Sequence, residues 1–203
     1  MSRANDIRYR AIVAGVSMGG VEALRVMFGG LPGDFPLPLL VVHHTGVDPG
    51  SELASILDAR SAIRVKEADD EEVIRPGTAY LAPANYHLLV EKSGALALSV
   101  DPPVNFARPS VDVLFESAAT AFGSRLIGVI LTGAGSDGSR GLKAVQDKGG
   151  VAIVQDPADA EADSMPRGAL AVVTADHVLP LKNICGLLCS LAASGAGKTD
   201  ERR

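Results

Sequence analysis

The sequence is poor in large aromatic side chains and in cysteine. Its 203 residues include no tryptophan, 4% aromatic residues and two cysteines. A core with so few large rings must be aliphatic, built from Val, Leu, Ile and Ala. Cys185 and Cys189 are four residues apart in a stretch with a helical pattern. This spacing predicts buried free thiols in a reducing cytoplasm rather than a disulfide framework or a metal site.

An excess of basic residues and long apolar runs are also missing. The net charge is −5 and the pI is near 5.3, so no positive field attracts a phosphate backbone and we expect no nucleic-acid partner. No apolar run reaches the roughly 18 residues of a membrane span, and the polar first residues do not resemble a signal peptide. We therefore expect one cytoplasmic domain without direct membrane insertion.

Short β-branched runs alternate with helical patterns along the chain. This alternation predicts an α/β fold, with a doubly wound, mainly parallel sheet covered by helices on both faces. The predicted strands are residues 11–15, 37–42, 126–131, 151–154 and 171–173, and the predicted helices begin near residue 19, span 50–59, follow Ser110 as N-cap, and span 138–148 and 183–193.

Two stretches depart from this alternation. Residues 77–100 hold three strand patterns with no helix between them and a Ser93-Gly94 turn signal, which predicts a small antiparallel extension. The acidic run 67–72 indicates a solvated loop. We place the domain at residues 8–193 and expect residues 194–203 to be a disordered tail.

Residues 15–19, Gly-Val-Ser-Met-Gly, fit G-x-S-x-G between a predicted strand and a predicted helix. In this context the pattern is typical of a nucleophile elbow that holds Ser17 above the sheet. The helix N-terminus points free N–H groups at the same place, and the backbone N–H of Met18 is the first candidate donor to an oxyanion. The alternative is a binding module whose turn holds a phosphate or dinucleotide, although the spacing is not G-x-G-x-x-G.

A base and a carboxylate are candidates at the same edge of the sheet. His43 and His44 end the second predicted strand, and because side chains alternate along a strand, only one of them can face Ser17. Asp137, in a Gly-rich stretch after another strand, is the candidate to orient the histidine, and Asp156 is its rival. The alternative role for Asp137 is to cap the helix that follows it. The chain order Ser, His, Asp differs from that of the α/β hydrolases and favours a different hydrolase family.

On these motifs the sequence resembles the CheB-type chemotaxis protein-glutamate methylesterases, from about residue 12 to residue 188. The matching stretches are AGVSMGG at 14–20, VVHH at 41–44, GTAYLAPANYHLLV at 77–90, RPSVDVLF at 108–115, LTGAGSDG at 131–138 and MPRG at 165–168. Such a set of separated motifs is far more specific than G-x-S-x-G alone.

The resemblance implies a serine hydrolase that removes methyl esters from glutamate side chains and also deamidates some glutamines. It assigns Ser17 as the nucleophile, His44 as the base and Asp137 as the carboxylate, with the backbone amides of Met18 and Ala134 as oxyanion donors. Arg108 and His43 are candidate substrate contacts; for Arg108 an ordinary surface arginine is the alternative. No cofactor and no metal are implied.

The sequence also departs from the family pattern. Met18 replaces a small residue beside the serine, and Ala134 and Ser136 replace the common Met and Asn. The first strand begins about ten residues into the sequence, so we expect a free-standing catalytic domain without a receiver domain. The expected substrate is a methylated, chemoreceptor-like helical protein, and a separate regulatory protein is a candidate partner. The alternative is a weak or inactive methylesterase-like domain that acts as a regulatory or partner-binding module.

Overall fold

The structure, a computed structural model, describes residues 8–44 and 51–193, arranged as one α/β domain. Seven parallel strands form the main sheet in the order β3-β4-β2-β1-β7-β8-β9, and β5 and β6 form a separate antiparallel hairpin. The predicted fold class is thus confirmed. The strands are β1 Ala11–Val16, β2 Leu39–His43, β3 Arg64–Glu67, β4 Thr78–Leu81, β5 His87–Val90, β6 Leu96–Ser99, β7 Leu126–Ile130, β8 Val151–Gln155 and β9 His177–Leu179.

Helices cover both faces of the main sheet. They are α1 Gly20–Gly29, α2 Ser51–Asp58, α3 Val111–Phe122, α4 Ser139–Asp147, α5 Ser164–Leu170 and α6 Leu181–Ala193. Alternate residues of β1 point to opposite faces: Ile12, Ala14 and Val16 join the core under α1, α2 and α6, whereas Ala11 and Val13 join the core under α3, α4 and α5. Both cores are mainly aliphatic, as the composition predicts.

The predicted antiparallel extension at 77–100 is correct only in its second half. The hairpin of β5 and β6 turns at Gly94 and packs on α3, where Ser117 Oγ accepts a hydrogen bond from the Val90 N–H at 3.1 Å. The first strand of this stretch, β4, instead pairs in parallel with both β2 and β3 inside the main sheet. β4 therefore hydrogen-bonds to β2 and β3 on its two sides, and not to β5, the next strand along the chain.

The acidic run 67–72 is a mostly exposed loop, as predicted, except that Glu67 ends the edge strand β3. Lys66 Nζ donates to two acids of this loop, to Asp69 Oδ2 at 2.6 Å and to Glu72 Oε2 at 2.7 Å. One other local prediction is wrong. Residues 171–173 are not a strand, because the amides of 172 and 173 both donate to the Ala169 carbonyl and continue the end of α5. The strand at this end of the sheet is β9.

Cys185 and Cys189 are free thiols on α6, as predicted, but they are partly rather than fully buried. Burial, followed by the neighbouring Cys189, raises the pKa of Cys185 to about 11. In the part of the chain described here, no helix is long and apolar enough to cross a membrane. The expected disordered tail at 194–203 lies outside the described residues.

Candidate active site

Three neighbouring strands at the centre of the sheet end at the same edge. β1 lies between β2 and β7. The chain passes from β1 through α1 to β2 on one side, and later comes through α3 to β7 on the other side. Ser17 follows β1 directly, where its N–H donates to the Thr132 carbonyl at 3.0 Å and the His44 N–H donates to the Val16 carbonyl at 3.1 Å. Since ligands collect at such a topological switch point, this edge is the natural place for a site.

The turn that carries Ser17 is fastened to the strand end beside it. Gly19 adopts a φ of +76°, and helix α1 begins at the next residue. Thr132 Oγ1 donates to the Met18 carbonyl at 2.9 Å and accepts from the Ala162 N–H at 2.9 Å. Among the residues that the structure describes, the Ser17 hydroxyl has no hydrogen-bond partner, and its Cβ lies close to Gly133. The hydroxyl is therefore free to rotate about the Cα–Cβ bond.

His44 is paired with Asp137. His44 Nε2 lies 2.9 Å from Asp137 Oδ2, and the His44 side chain is about one-fifth exposed. Since the carboxylate accepts from Nε2, the ring nitrogen left to accept a proton is Nδ1. The structure thus brings together the histidine and the carboxylate that the sequence analysis selected.

The Asp137 carboxylate is 5% exposed and is surrounded by donors. Its Oδ1 accepts from Asn105 Nδ2 at 2.8 Å and from Ser110 Oγ at 2.9 Å, and its Oδ2 accepts from the Val111 N–H at 2.7 Å. Burial raises the pKa of Asp137, but the bonds from His44, Asn105 and the amides of 111 and 112 outweigh it and hold the pKa at about 2. The carboxylate is therefore ionised at neutral pH.

Asp137 and Asp112 cap each other's helices. The amides that Asp137 binds are the first of α3, whereas Asp112, in the first turn of α3, accepts from the Gly138 N–H at 3.0 Å and the Gly141 N–H at 2.7 Å at the start of α4. Ser110, predicted as the N-cap of α3, stands at that position but donates its hydroxyl to Asp137. Asp137 is thus not the cap of its own following helix; it stabilises a helix that begins 26 residues earlier.

Asn105 is a site residue that the sequence analysis missed. Its side-chain amide donates to Asp112 Oδ2 and to Asp137 Oδ1, both at 2.8 Å, and so connects the two capping carboxylates. Its backbone has a φ of +53°, a region that asparagine tolerates better than most residues. The available signal was an asparagine in a short turn between two Pro-containing stretches, at 102–103 and 108–109.

A cleft of about 570 Å³ opens beside the pair. It is lined by His44, Asp137 and two loops, residues 105–109 and 134–136. The two predicted oxyanion donors, the amides of Met18 and Ala134, make no hydrogen bond with the described residues and remain available to a ligand. Met18 is 58% exposed beside Ser17. Arg108 also lines the cleft, with Nη1 donating to the carbonyls of Val100 at 2.7 Å and Asp101 at 3.1 Å.

The structure separates the other candidates from the pair. The His43 ring points to the opposite face of β2 from His44, where a Cβ on Gly20 would lie 2.7 Å from its Cδ2. Burial, followed by the nearby His44, lowers the pKa of His43 despite an opposing effect of the Ser17 backbone. His43 does not line the cleft, so its assignment as a substrate contact stays a prediction. Asp156, the rival carboxylate, accepts from the Ala158 N–H at 2.9 Å in its own turn.

Comparisons with known proteins agree on one family. The sequence model described as CheB methylesterase matches residues 12–188. A Leptospira interrogans protein named "Putative protein-glutamate methylesterase/protein-glutamine glutaminase" is 46% identical over 185 residues, which cover 91% of this chain and 96% of that protein. The Myxococcus xanthus "Protein-glutamate methylesterase FrzG" is 41% identical over 87% of this chain and 53% of its own length.

A solved structure has the same architecture. The catalytic domain of the Thermotoga maritima CheB methylesterase superimposes with a TM-score of 0.85 and is 37% identical, covering 90% of this chain and 98% of that domain. The likeness therefore extends over almost all of the described fold.

Proposed function

The chain belongs to the CheB methylesterase family, and we propose that it removes methyl esters from glutamate side chains of a protein substrate by acyl transfer through Ser17, His44 and Asp137. The observation that carries this proposal is the His44–Asp137 pair at the sheet edge where Ser17 leaves β1. Relatives at 41–46% identity are named as protein-glutamate methylesterases, so the alternative of an inactive partner-binding module is not favoured.

The first half of the reaction forms an acyl-enzyme. The Ser17 hydroxyl rotates toward His44 and attacks the carbonyl carbon of the glutamyl γ-methyl ester, while His44 Nδ1 takes the hydroxyl proton. Asp137 holds the ring through Nε2 and stabilises the imidazolium. The free amides of Met18 and Ala134 would bind the oxyanion of the tetrahedral intermediate. The C–O bond to the methoxy group then breaks, and His44 returns the proton so that methanol leaves.

The second half restores the enzyme. A water molecule gives a proton to His44 Nδ1 and attacks the acyl-enzyme, a second tetrahedral intermediate collapses, and Ser17 leaves with that proton. The product is a free glutamate. The same steps on a glutamine release ammonia instead of methanol, in keeping with the glutaminase part of the relatives' names. In this proposal the substrate is a methylated, chemoreceptor-like helical protein in the cytoplasm. Arg108 contacts this protein from the lining of the cleft. A separate protein regulates the enzyme.

The test is methanol release from a methylated receptor cytoplasmic domain. We expect the native chain to release methanol, and Ser17→Ala and His44→Ala to lose at least about 10³-fold in rate. Matched controls are Ser124→Ala, in an exposed serine before β7 at the opposite edge of the sheet, and His177→Ala, at the start of β9. Release that continues in Ser17→Ala, or that falls equally in the controls, would contradict the proposal.

A further inference from the structure

A short turn at the mouth of the cleft carries a feature that neither folding nor catalysis requires. Val104 and Ala107 exchange two backbone hydrogen bonds, of 3.1 Å and 2.9 Å, and the two residues between them, Asn105 and Phe106, have φ values of +53° and +62°. This is a two-residue hairpin with both central residues in the left-handed region. Such turns strongly prefer Asn-Gly, and this one has phenylalanine in place of the glycine.

The Phe106 ring buries no apolar surface against the part of the chain that the structure describes. Phe106 is fully exposed and lies outside both hydrophobic cores. A bulky residue at positive φ is strained, and an exposed ring leaves its apolar surface in water. Residues held in strained backbone conformations cluster at functional sites. The cost of this side chain therefore points to a contact made with something outside the chain.

The turn is held firmly in place against the catalytic pair. The side chain of Asn105 bonds Asp112 and Asp137, and Arg108 Nη1 bonds the carbonyls of Val100 and Asp101. At the two ends of the segment, His87 Nε2 donates to the Pro102 carbonyl at 3.2 Å and His87 Nδ1 accepts from the Ser110 N–H at 3.2 Å. Phe106 is consequently presented at a fixed position on the lining of the cleft that also holds His44 and Asp137.

We propose that Phe106 determines specificity for folded protein substrates, by packing on an apolar side chain that lies beside the esterified glutamate on the substrate surface. The inference rests on the proposed function and adds the feature by which the substrate is selected. In this proposal the glutamyl methyl ester enters the cleft, and the exposed ring of Phe106 is covered by the protein surface that surrounds the ester. A small ester has no such surface, so the contact favours the protein substrate over it.

The experiment compares two substrates in three variants. The substrates are a methylated receptor cytoplasmic domain and N-acetylglutamate γ-methyl ester methylamide. The readout is the kcat/KM value for the receptor domain divided by the kcat/KM value for the small ester. Phe106→Gly should lower this ratio about tenfold or more, because an apolar contact of this size is lost. Phe106→Leu keeps an apolar side chain and should stay within about threefold of the native ratio. Tyr86→Gly removes another exposed aromatic, one that does not line the cleft, and should leave the ratio unchanged.

Thermal unfolding separates recognition from folding. Phe106→Gly should unfold at the native Tm or up to about 4 °C above it, because glycine relieves the left-handed strain. A lower Tm, or an unchanged ratio in an otherwise active Phe106→Gly, overturns the inference while the proposed function stands. A native chain that turns over neither substrate overturns the proposed function, and the inference with it.

Discussion

At the scale of single residues, Asp137 is where the hydrogen bonds of the site converge. It accepts from two side chains of the 105–110 segment and from the first amides of α3 while it holds His44. In the proposed catalytic cycle a carboxylate fixed in this way keeps the imidazole in one orientation and remains ionised as the ring gains its proton. His44, Asn105 and the amides of 111 and 112 each lower the pKa of Asp137, so the loss of one of these donors should be measurable.

Asn105→Ala should raise the pKa of Asp137 and destabilise the chain. Asn85→Ala is the matched control, because Asn85 also has a positive φ, of +65°, but has no bond to Asp137. Both variants place alanine in the left-handed region, whereas only Asn105→Ala removes a donor to two carboxylates. We expect Asn105→Ala to lose about 1–2 kcal/mol more in urea unfolding at pH 7 than Asn85→Ala, and to release methanol more slowly.

The pH dependence of this difference has a definite sign. The pKa of Asp137 in the fold, about 2, lies below its ordinary value of 3.8, so its contribution to stability is present above pH 3.8 and is lost as the pH falls through 2. In Asn105→Ala the folded pKa moves up toward 3.8, and less of this contribution remains to be lost. The gap between the two variants should therefore shrink from pH 7 to pH 2. Equal stabilities of the two variants at pH 7 would contradict the assigned role.

The sequence predicted the orientation of adjacent side chains along a strand, but it did not predict hydrogen bonds between residues far apart in the chain. Alternation along β2 predicted that only one of two adjacent histidines would face the site, and the structure turns His44 toward Asp137 and His43 toward Gly20. The bonds of Asn105 to two carboxylates join residues 7 and 32 positions apart. No spacing rule covers such pairs, because they depend on how α3 and α4 meet.

At the scale of elements, the site depends on how closely α3 approaches β1. A Cβ on Gly15 of β1 would overlap Cγ1 of Val111, the first residue of α3, and a Cβ on Gly138 would lie 2.6 Å from the same atom. Because these two glycines have no side chain, the start of α3 can pack closely between the sheet and the loop that carries Asp137. In this position the Val111 N–H donates to the Asp137 carboxylate. The glycine in the G-x-S-x-G turn thus has a second role, in packing, beside the one that the motif predicts.

Gly15→Ala should push α3 away from the sheet and be rescued in part by Val111→Ala. The added methyl group overpacks the contact and should cost about 1–3 kcal/mol of unfolding free energy, with a loss of methanol release. In the double variant the new methyl occupies space that the valine gives up, so the two effects should deviate from additivity by at least about 0.5 kcal/mol. Gly29→Ala, where a Cβ meets nothing within 4 Å, is the control and should not destabilise the chain. Additive losses would show that the two residues do not press on each other.

At the scale of the whole molecule, periodicity and turn signals predicted the doubly wound sheet, the central strands and the hairpin. They predicted poorly at the sheet margins: β4 was assigned to the antiparallel extension but lies in the parallel sheet, β3 was not predicted, and the last strand was placed at 171–173 instead of at β9. Short edge strands tolerate charges and carry few buried residues, so their patterns resemble loops. The central strands are buried on both faces, and their continuous apolar runs make them easy to recognise.

The same central strands explain why the candidate site was predictable as a set. A motif after β1, a histidine after β2 and an acid after β7 converge because three parallel neighbours end at one edge. What remained beyond prediction is the support around that set, namely the reciprocal capping by Asp112 and Asp137 and the strained turn of Phe106. The capping depends on contacts between segments distant in sequence, and the turn departs from the Asn-Gly pattern by which such hairpins are recognised.

The most direct test of the central claim, that Ser17 is a nucleophile activated by His44, is covalent labelling with a small fluorophosphonate followed by peptide mass mapping. We expect one adduct per native chain, on Ser17, with labelling strongly slowed in His44→Ala and unchanged in His177→Ala. Adducts on a different residue, no adduct at all, or an equal labelling rate in His44→Ala would contradict it.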